Sequence, residues 1–528
     1  SRLMAVLMAM TMILSMSMTA FAAEASKGTL TVNNTVAGKT LDLYQIFTAT
    51  KNGDNVAYTL NSAYEGFFKN NTRIPGSESL TGEALSEKAY EYVKTQVGTD
   101  GKSGTGFAKE ILGWILENAT TVATTHTTAT TTAGSTVISG LEYGYYVVYP
   151  LGATDTSAAP GEQDYTSVAS LVSVTGDTSI NMKSNYPTVV KKVNDKNADD
   201  VNIGDTVTYT LTSKVPDMTG YTSYVFNFKD TLSAGLTFKE ITSVKVGETT
   251  ITKVDAGQEA DNTYTLTQDG QNITITMNNF LASNKDNTGK EIKVTYTATL
   301  NKDAVTGFDA NKNSATVEYS NKPGTDNKGE SEPSIVDVHT FNFTIFKYYL
   351  KDETKTGLAN AEFELYKANE AGDAADTNAK INIVKVKDGE YRQATPEEAA
   401  AEGFKSDVIV SGTDGKVLVK GLDAGTYYLR ETKAPEGYNK LLSDIKVEIK
   451  ANYDETTGKL TSYSVDYTYN GTTTTGTEIK DTTTSPEVAV ENKTGAQLPS
   501  TGSKGALMVT LAGIVLFGAL TASKAFGK

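Results

Sequence analysis

Two hydrophobic periodicities alternate along this chain. Over residues 28–32 and 41–47 apolar side chains recur at every second position, the spacing of half-buried strands. Residues 80–96 and 107–118 carry them at helical intervals instead: Ala84, Leu85, Ala89, Tyr90 and Val93, then Ile111, Leu112, Ile115 and Leu116. Two helices are predicted there, separated by a Gly-rich turn over 98–106. The Thr/Ala tract 120–136 reads as a polar strand or loop, and 137–149 returns to strand. Residues 23–184 therefore predict a β-sandwich with a helical insertion.

From 185 to 338 the pattern is strand and turn throughout. Residues 205–213, 272–277 and 291–300 alternate apolar with Thr or Lys, as short strands of an immunoglobulin-like sandwich do. Residues 321–334 have the clearest linker composition in the chain. A third β unit follows over 339–494, marked by 341–347, 358–366 and 421–431. The fold class expected is mainly β, with tandem sandwich domains.

Composition narrows the function. The chain has 528 residues, enough for about three to four domains. Its net charge of −15 leaves no basic face for nucleic acid. With no cysteine and two histidines, His126 and His339, neither a zinc site nor a Ser-His-Asp machine is expected, and no cofactor. Residues 1–22 are Met- and Leu-rich and end in an Ala-x-Ala pattern, a signal peptide. The sequence opens at Ser1 and keeps only Arg2 of a basic region, so the natural start is expected upstream.

Strand phase singles out polar residues on core faces. Lys347 continues the face of Phe341, Phe343 and Ile345; Glu431 continues Tyr427 and Leu429; Asn492 continues Val488 and Val490. Burying three such groups unpaired is expensive, which suggests that they meet. A lysine made neutral by apolar surroundings can attack an asparagine carboxamide while a protonated acid polarises it. Patterning alone also fits a lysine and glutamate snorkelling at a sandwich edge, with Asn492 in a turn. In the second unit Lys191 shares a face with Val189 and Val193, Asp230 with Phe226 and Phe228, and Asn313 with Ala315, Val317 and Tyr319. Lys192 and Asn321 are the alternatives there.

Phe-x-Phe-x-Ile-x-Lys347, Gly-x-Tyr-Tyr-Leu-x-Glu431 and Val-x-Val-x-Asn492 together resemble the collagen-adhesin B-type domain of Gram-positive surface proteins, with the Tyr-Tyr-Leu-x-Glu stretch similar to the pilin E-box. The stretches holding Lys191, Asp230 and Asn313 resemble the fimbrial isopeptide-forming D2 domain. The resemblance implies two isopeptide bonds, Lys347–Asn492 assisted by Glu431 and Lys191–Asn313 assisted by Asp230. The first unit departs from the pattern: Tyr149 stands in the acid's place and Asn33-Asn34 in the lysine's, so no bond is expected there and that domain should be the least stable.

The C-terminal stretch 495–528 completes the resemblance. Leu498-Pro499-Ser500-Thr501-Gly502, the uncharged run 506–523 and Lys524 and Lys528 are similar to the three-part sorting signal read by sortases. At roughly 18 residues the run can just span a bilayer as a helix in the precursor. The resemblance implies cleavage between Thr501 and Gly502 and transfer of the Thr501 acyl group to an amine. Shaft pilins of the family carry their acceptor lysine in a Tyr-Pro-Lys-Asn-like motif at the first domain junction. Lys183, in Ile-Asn-Met-Lys-Ser-Asn-Tyr-Pro, keeps the lysine without that order, and Lys191 and Lys192 are alternatives. The function implied is the major subunit of a wall-anchored pilus. Its expected partners are pilin-specific and housekeeping sortases, other copies, accessory pilins, peptidoglycan and host surface ligands. A monomeric wall-anchored adhesin or a tip or base pilin is the alternative; a surface hydrolase lacks any nucleophile–base set.

Overall fold

A computed structural model describes residues 26–98, 104–154, 168–182 and 186–495. Strands dominate, and the chain divides into two compact units: residues 1–199, 206–299 and 311–338, and residues 200–205, 300–310 and 339–528.

The first unit holds two sandwiches. In the N-terminal one, a three-stranded sheet runs Gly134–Glu142, Lys27–Thr35, Asp177–Asn181. It faces a sheet ordered Asn55–Leu60, Thr40–Asn52, Gly144–Pro150, Ser170–Val174, with His126–Thr130 paired to Thr40–Asn52. Leu30, Val32, Leu41, Leu43 and Val148 fill the space between the sheets. The strand Gly144–Pro150 is buried on both faces, because the helices Gly82–Val97 and Gly104–Glu117 cover its other side. Leu85, Ala89, Val93, Ile111 and Ile115 pack there on Ile46, Phe47, Tyr145 and Val147. The expected helices are thus present, with one difference: Gly104 and Gly106 belong to the second helix, since glycine only weakens a helix that is packed on a core. The Thr/Ala tract contributes the strand His126–Thr130, and the 137–149 stretch is two strands that break at Tyr143.

In the second sandwich one sheet contains Ser334–His339, Asn311–Ser320, Phe226–Leu232, Asn272–Met277 and Thr263–Asp269 in that order. The facing sheet contains Leu236–Val246, Glu291–Leu300, Thr206–Lys214 and Val190–Val193. A short helix, Phe280–Asn284, interrupts what the pattern suggested was strand and turn alone. Residues 321–334 are not a linker. Lys328–Glu330 pairs antiparallel with Glu318–Ser320, and Ser334 begins a further strand along Asn311–Ala315. The Pro-Gly, Asn and Ser composition marks the turns of this excursion, because the same residues that loosen linkers also close hairpins.

The second compact unit is a sandwich of its own. Phe341–Lys351 lies between Lys416–Leu422, antiparallel, and Glu487–Glu491, parallel, so the first and last strands of the domain are neighbours. The opposing sheet runs Ala375–Lys380, Glu362–Ala368, Gly425–Lys433, Ile445–Tyr453, Leu460–Tyr469. Phe341, Phe343, Ile345, Phe363, Leu365, Leu429 and Val447 form its core.

One glycine is fixed by this packing. Gly415 has φ +78°, and a Cβ there would press into the Lys347 carbonyl oxygen and lie 2.7 Å from the Gly357 Cα. Gly415→Ala should destabilise this domain by about 1–3 kcal/mol from backbone strain alone, with the clash added. A lowered thermal midpoint checks this; an unchanged one contradicts the packing.

Candidate functional site

Among the described residues, the buried lysines are Lys191 and Lys347. Each has been carried into a core by strand alternation, and each meets the acid and the asparagine that the sequence places in phase with it.

In the second sandwich, Val190–Val193 puts Lys191 on the inner face of one sheet, between the buried Val189 and Val193. The facing sheet supplies Asp230 and Asn313 from adjacent antiparallel strands, where Asp230 pairs with Ala315 and Leu232 with Asn313. Lys191 Nζ donates to Asp230 Oδ2 and, at 2.8 Å, to the Tyr296 hydroxyl. Tyr296 donates to Asp230 Oδ2 at 2.8 Å and accepts from Asn313 Nδ2 at 2.6 Å. Tyr296 therefore links all three. Asp230 Oδ1 and Asn313 Oδ1 accept no hydrogen bond. The rings of Tyr209 and Tyr296 flank the amine, their centroids 4.9 and 5.1 Å from Nζ. Lys192, the alternative, points outward and donates to Asn197 Oδ1 at 2.6 Å; Asn321 is half-buried in the turn after its strand.

In the C-terminal sandwich the lysine and the asparagine share one sheet. Lys347 is aligned with Val490 across the parallel pair, and the Asn492 backbone N–H bonds to the Tyr348 carbonyl. Glu431 comes from the opposing sheet. Its Oε1 lies 3.2 Å from Lys347 Nζ, ion-pair range without a hydrogen bond, and Oε2 accepts from Asn492 Nδ2 at 3.2 Å. Two contacts from the loop after Glu431 complete the site: the Leu441 N–H donates to Oε2 at 2.7 Å, and Asn492 Nδ2 donates to the Asn439 carbonyl at 2.8 Å. Asn492 Oδ1 accepts nothing. Here the acid touches both amine and carboxamide; in the other triad the tyrosine hydroxyl stands between acid and carboxamide.

The structure thus brings Lys191, Asp230 and Asn313 together, and likewise Lys347, Glu431 and Asn492. The N-terminal sandwich has no comparable set among its described residues: Tyr149 is buried, Asn33 half-buried and Asn34 exposed. Lys183, residues 498–502 and 506–523, and the expected signal peptide over 1–22 lie outside the described residues. No described helix is long and apolar enough to cross a membrane. Tyr296 was legible but overlooked, since Ile292, Val294, Tyr296 and Ala298 alternate on one core face. The Asn439 and Leu441 contacts come from a loop, which carries no periodic signal.

Residues 203–323 match the family described as Gram-positive pilin backbone subunit 2, Cna-B-like domain, and residues 344–463 match the SpaA prealbumin-like fold domain. Each of these two stretches is thus similar to a domain family of Gram-positive surface fibres, and together they span less than half of the chain. The chain is 26% identical over 56% of its length to the trypsin-resistant surface T6 protein of Streptococcus pyogenes, covering 51% of that protein. It is 30% identical over 47% of its length to the fimbrial subunit type 2 of Actinomyces naeslundii, covering 48% of it. The chain spans about half the length of these curated relatives. Among solved structures, the T6 backbone pilin of Streptococcus pyogenes aligns over 90% of this chain and 100% of its own at 16% identity, with a TM-score of 0.46.

Both sandwiches hold their lysine under the same electrostatic tension. Burial lowers Lys191 to about 8 against the opposing pull of Asp230, and burial likewise lowers Lys347 to about 8 against Glu431. An unfolded lysine keeps its proton up to about pH 10.4. Between pH 8 and 10 the unfolded chain therefore binds more protons than the folded one wherever the amine is free, and stability rises with pH across that window. Denaturant titrations of Asn492→Ala should show this rise in the C-terminal domain, and Asn492→Ala combined with Lys347→Met should remove it. Equal slopes would mean that Lys347 is not held deprotonated by burial.

Proposed function

We propose that this chain is the shaft subunit of a surface pilus, polymerised by a sortase and hardened by two self-formed isopeptide bonds. The observation that carries the reading is the pair of buried lysines, each against an acid and an asparagine whose carboxamide oxygen has no partner.

The chemistry needs nothing from outside the core. The ion pair and its tautomer, neutral amine with protonated acid, hold the same number of protons, so the reactive form is reached by one internal proton transfer. The apolar surroundings lower the cost of reaching the uncharged tautomer, since they solvate neither charge. Lysine Nζ attacks the asparagine Cγ while the acid O–H hydrogen-bonds to Oδ1 and stabilises the developing oxyanion. The Nζ–Cγ bond forms, the Cγ–Nδ2 bond breaks, and Nδ2 leaves as ammonia with a proton from Nζ relayed by the acid. In the second sandwich Tyr296 can carry that relay. Each site turns over once, so the protein is a substrate of its own chemistry and not an enzyme.

The Lys191–Asn313 bond would tie the two sheets of a sandwich together, and Lys347–Asn492 would join the first and last strands of one sheet. Thr501 of one subunit, released from Gly502 by a pilin-specific sortase, would be joined to Lys183 of the next. A head-to-tail contact of this kind repeats without closing and builds a fibre. A housekeeping sortase would pass the finished fibre to peptidoglycan, leaving it wall-anchored on the cell surface with any accessory pilins.

Two measurements test this. The intact mass of the folded, purified chain should fall short of its sequence mass by two molecules of ammonia. Asp230→Ala and Glu431→Ala should each restore one, and Tyr296→Phe should slow the first loss without touching the second. A full sequence mass would overturn the bonds. Boiled denaturing gels of wall extracts should show a high-mass ladder that collapses to monomer in Lys183→Arg. A ladder that survives moves the acceptor elsewhere; monomer in the parent strain would favour a wall-anchored adhesin.

A further inference from the structure

The end of the C-terminal domain from which the chain leaves exposes a large apolar side chain. Leu442 is 94% exposed, the most exposed large hydrophobic side chain among the described residues. It sits in the loop that caps the Lys347 triad, one residue after Leu441, whose N–H anchors Glu431. In the same loop the Tyr438 ring packs against Tyr349, with centroids 5.5 Å apart. The departing chain runs beside them. The Asn439 N–H bonds to the Lys493 carbonyl at 2.9 Å, and Gly495 packs near the Asn439 side chain.

This loop is held from beneath by Glu431, whose Oε2 accepts from the Leu441 N–H. A leucine fixed in that way against water has no partner within its own domain. From Gly495 only about six residues lead to Thr501, a reach of at most ~20 Å when extended. A domain of about 150 residues has a radius of gyration near 15 Å. Whatever is joined to Thr501 is therefore tethered more closely than its own diameter and must lie against this end of the domain.

We propose that Leu442, with the Tyr438 and Tyr349 rings of the same end, is a docking surface for a second copy of this chain, the subunit joined through Thr501. The inference rests on the polymer reading above. The covalent link supplies a high effective concentration, so a small apolar contact is enough to fix the angle between successive subunits.

Hydrogen–deuterium exchange tests it, comparing fibres released from the wall with monomer ending at Thr501. Peptides spanning 438–443 and 348–351 should exchange about tenfold more slowly in the fibre, while the exposed turn at 255–261 exchanges equally in both. Fibres of Leu442→Asp should still form and should return the loop to its monomer rate. Monomer-like exchange in parent fibres, or slow exchange that survives Leu442→Asp, would overturn the docking surface and leave the polymer standing. If no covalent fibre is recovered, the polymer reading fails and this inference falls with it.

Discussion

A lysine ammonium in a sandwich core costs several kcal/mol in lost hydration, and a neighbouring carboxylate only partly offsets it. This chain accepts that cost twice. Lys191 and Lys347 are buried among tyrosine, phenylalanine and valine side chains, and each brings an acid and a carboxamide that the core also leaves incompletely bonded. Interiors normally hydrogen-bond the polar groups they enclose. Here four such oxygens without a hydrogen-bond partner, on Asp230, Asn313, Glu431 and Asn492, face the two amines. Conversion to a neutral amide removes both charges and gives the acid a carbonyl to bond.

The two sites reach that condition by different routes. In the second sandwich the reacting pair sits on opposite sheets, and Tyr296 connects the acid to the carboxamide. In the C-terminal sandwich the pair sits on neighbouring strands of one sheet, and Glu431 touches both members directly. A bond in the first arrangement would lock sheet to sheet, and one in the second would lock the entry strand to the exit strand. In a chain without cysteine, these are the positions where a disulfide would otherwise resist extension.

Much of this was legible in the sequence because strands alternate. A lysine, acid or asparagine two residues beyond a run of core positions must enter the core, and all six phase-assigned residues do so. The preference for Lys191 over Lys192 follows from the same parity, and of the two it is Lys191 that is buried. Loops were not legible in this way. Residues 321–334 look like a linker by composition yet return to the sheet, since turn residues are shared by hairpins and linkers. The Asn439 and Leu441 contacts depend on the path of an aperiodic loop. Tyr296 was missed for another reason: an aromatic on a core face reads as packing, and its hydroxyl becomes informative only when its neighbours are known.

The most direct measurement is the extension of a single folded molecule pulled by its two ends. With both bonds formed, the force crosses Lys347–Asn492 and Lys191–Asn313 without entering the chain they enclose. The N-terminal sandwich should release its length, while the enclosed segments, each roughly 400–500 Å of chain at ~3.5 Å per residue, stay folded to the limit of the instrument. Release of either enclosed segment at forces typical of unbridged β-sandwiches would show that its lysine and asparagine remain separate, and would contradict the account.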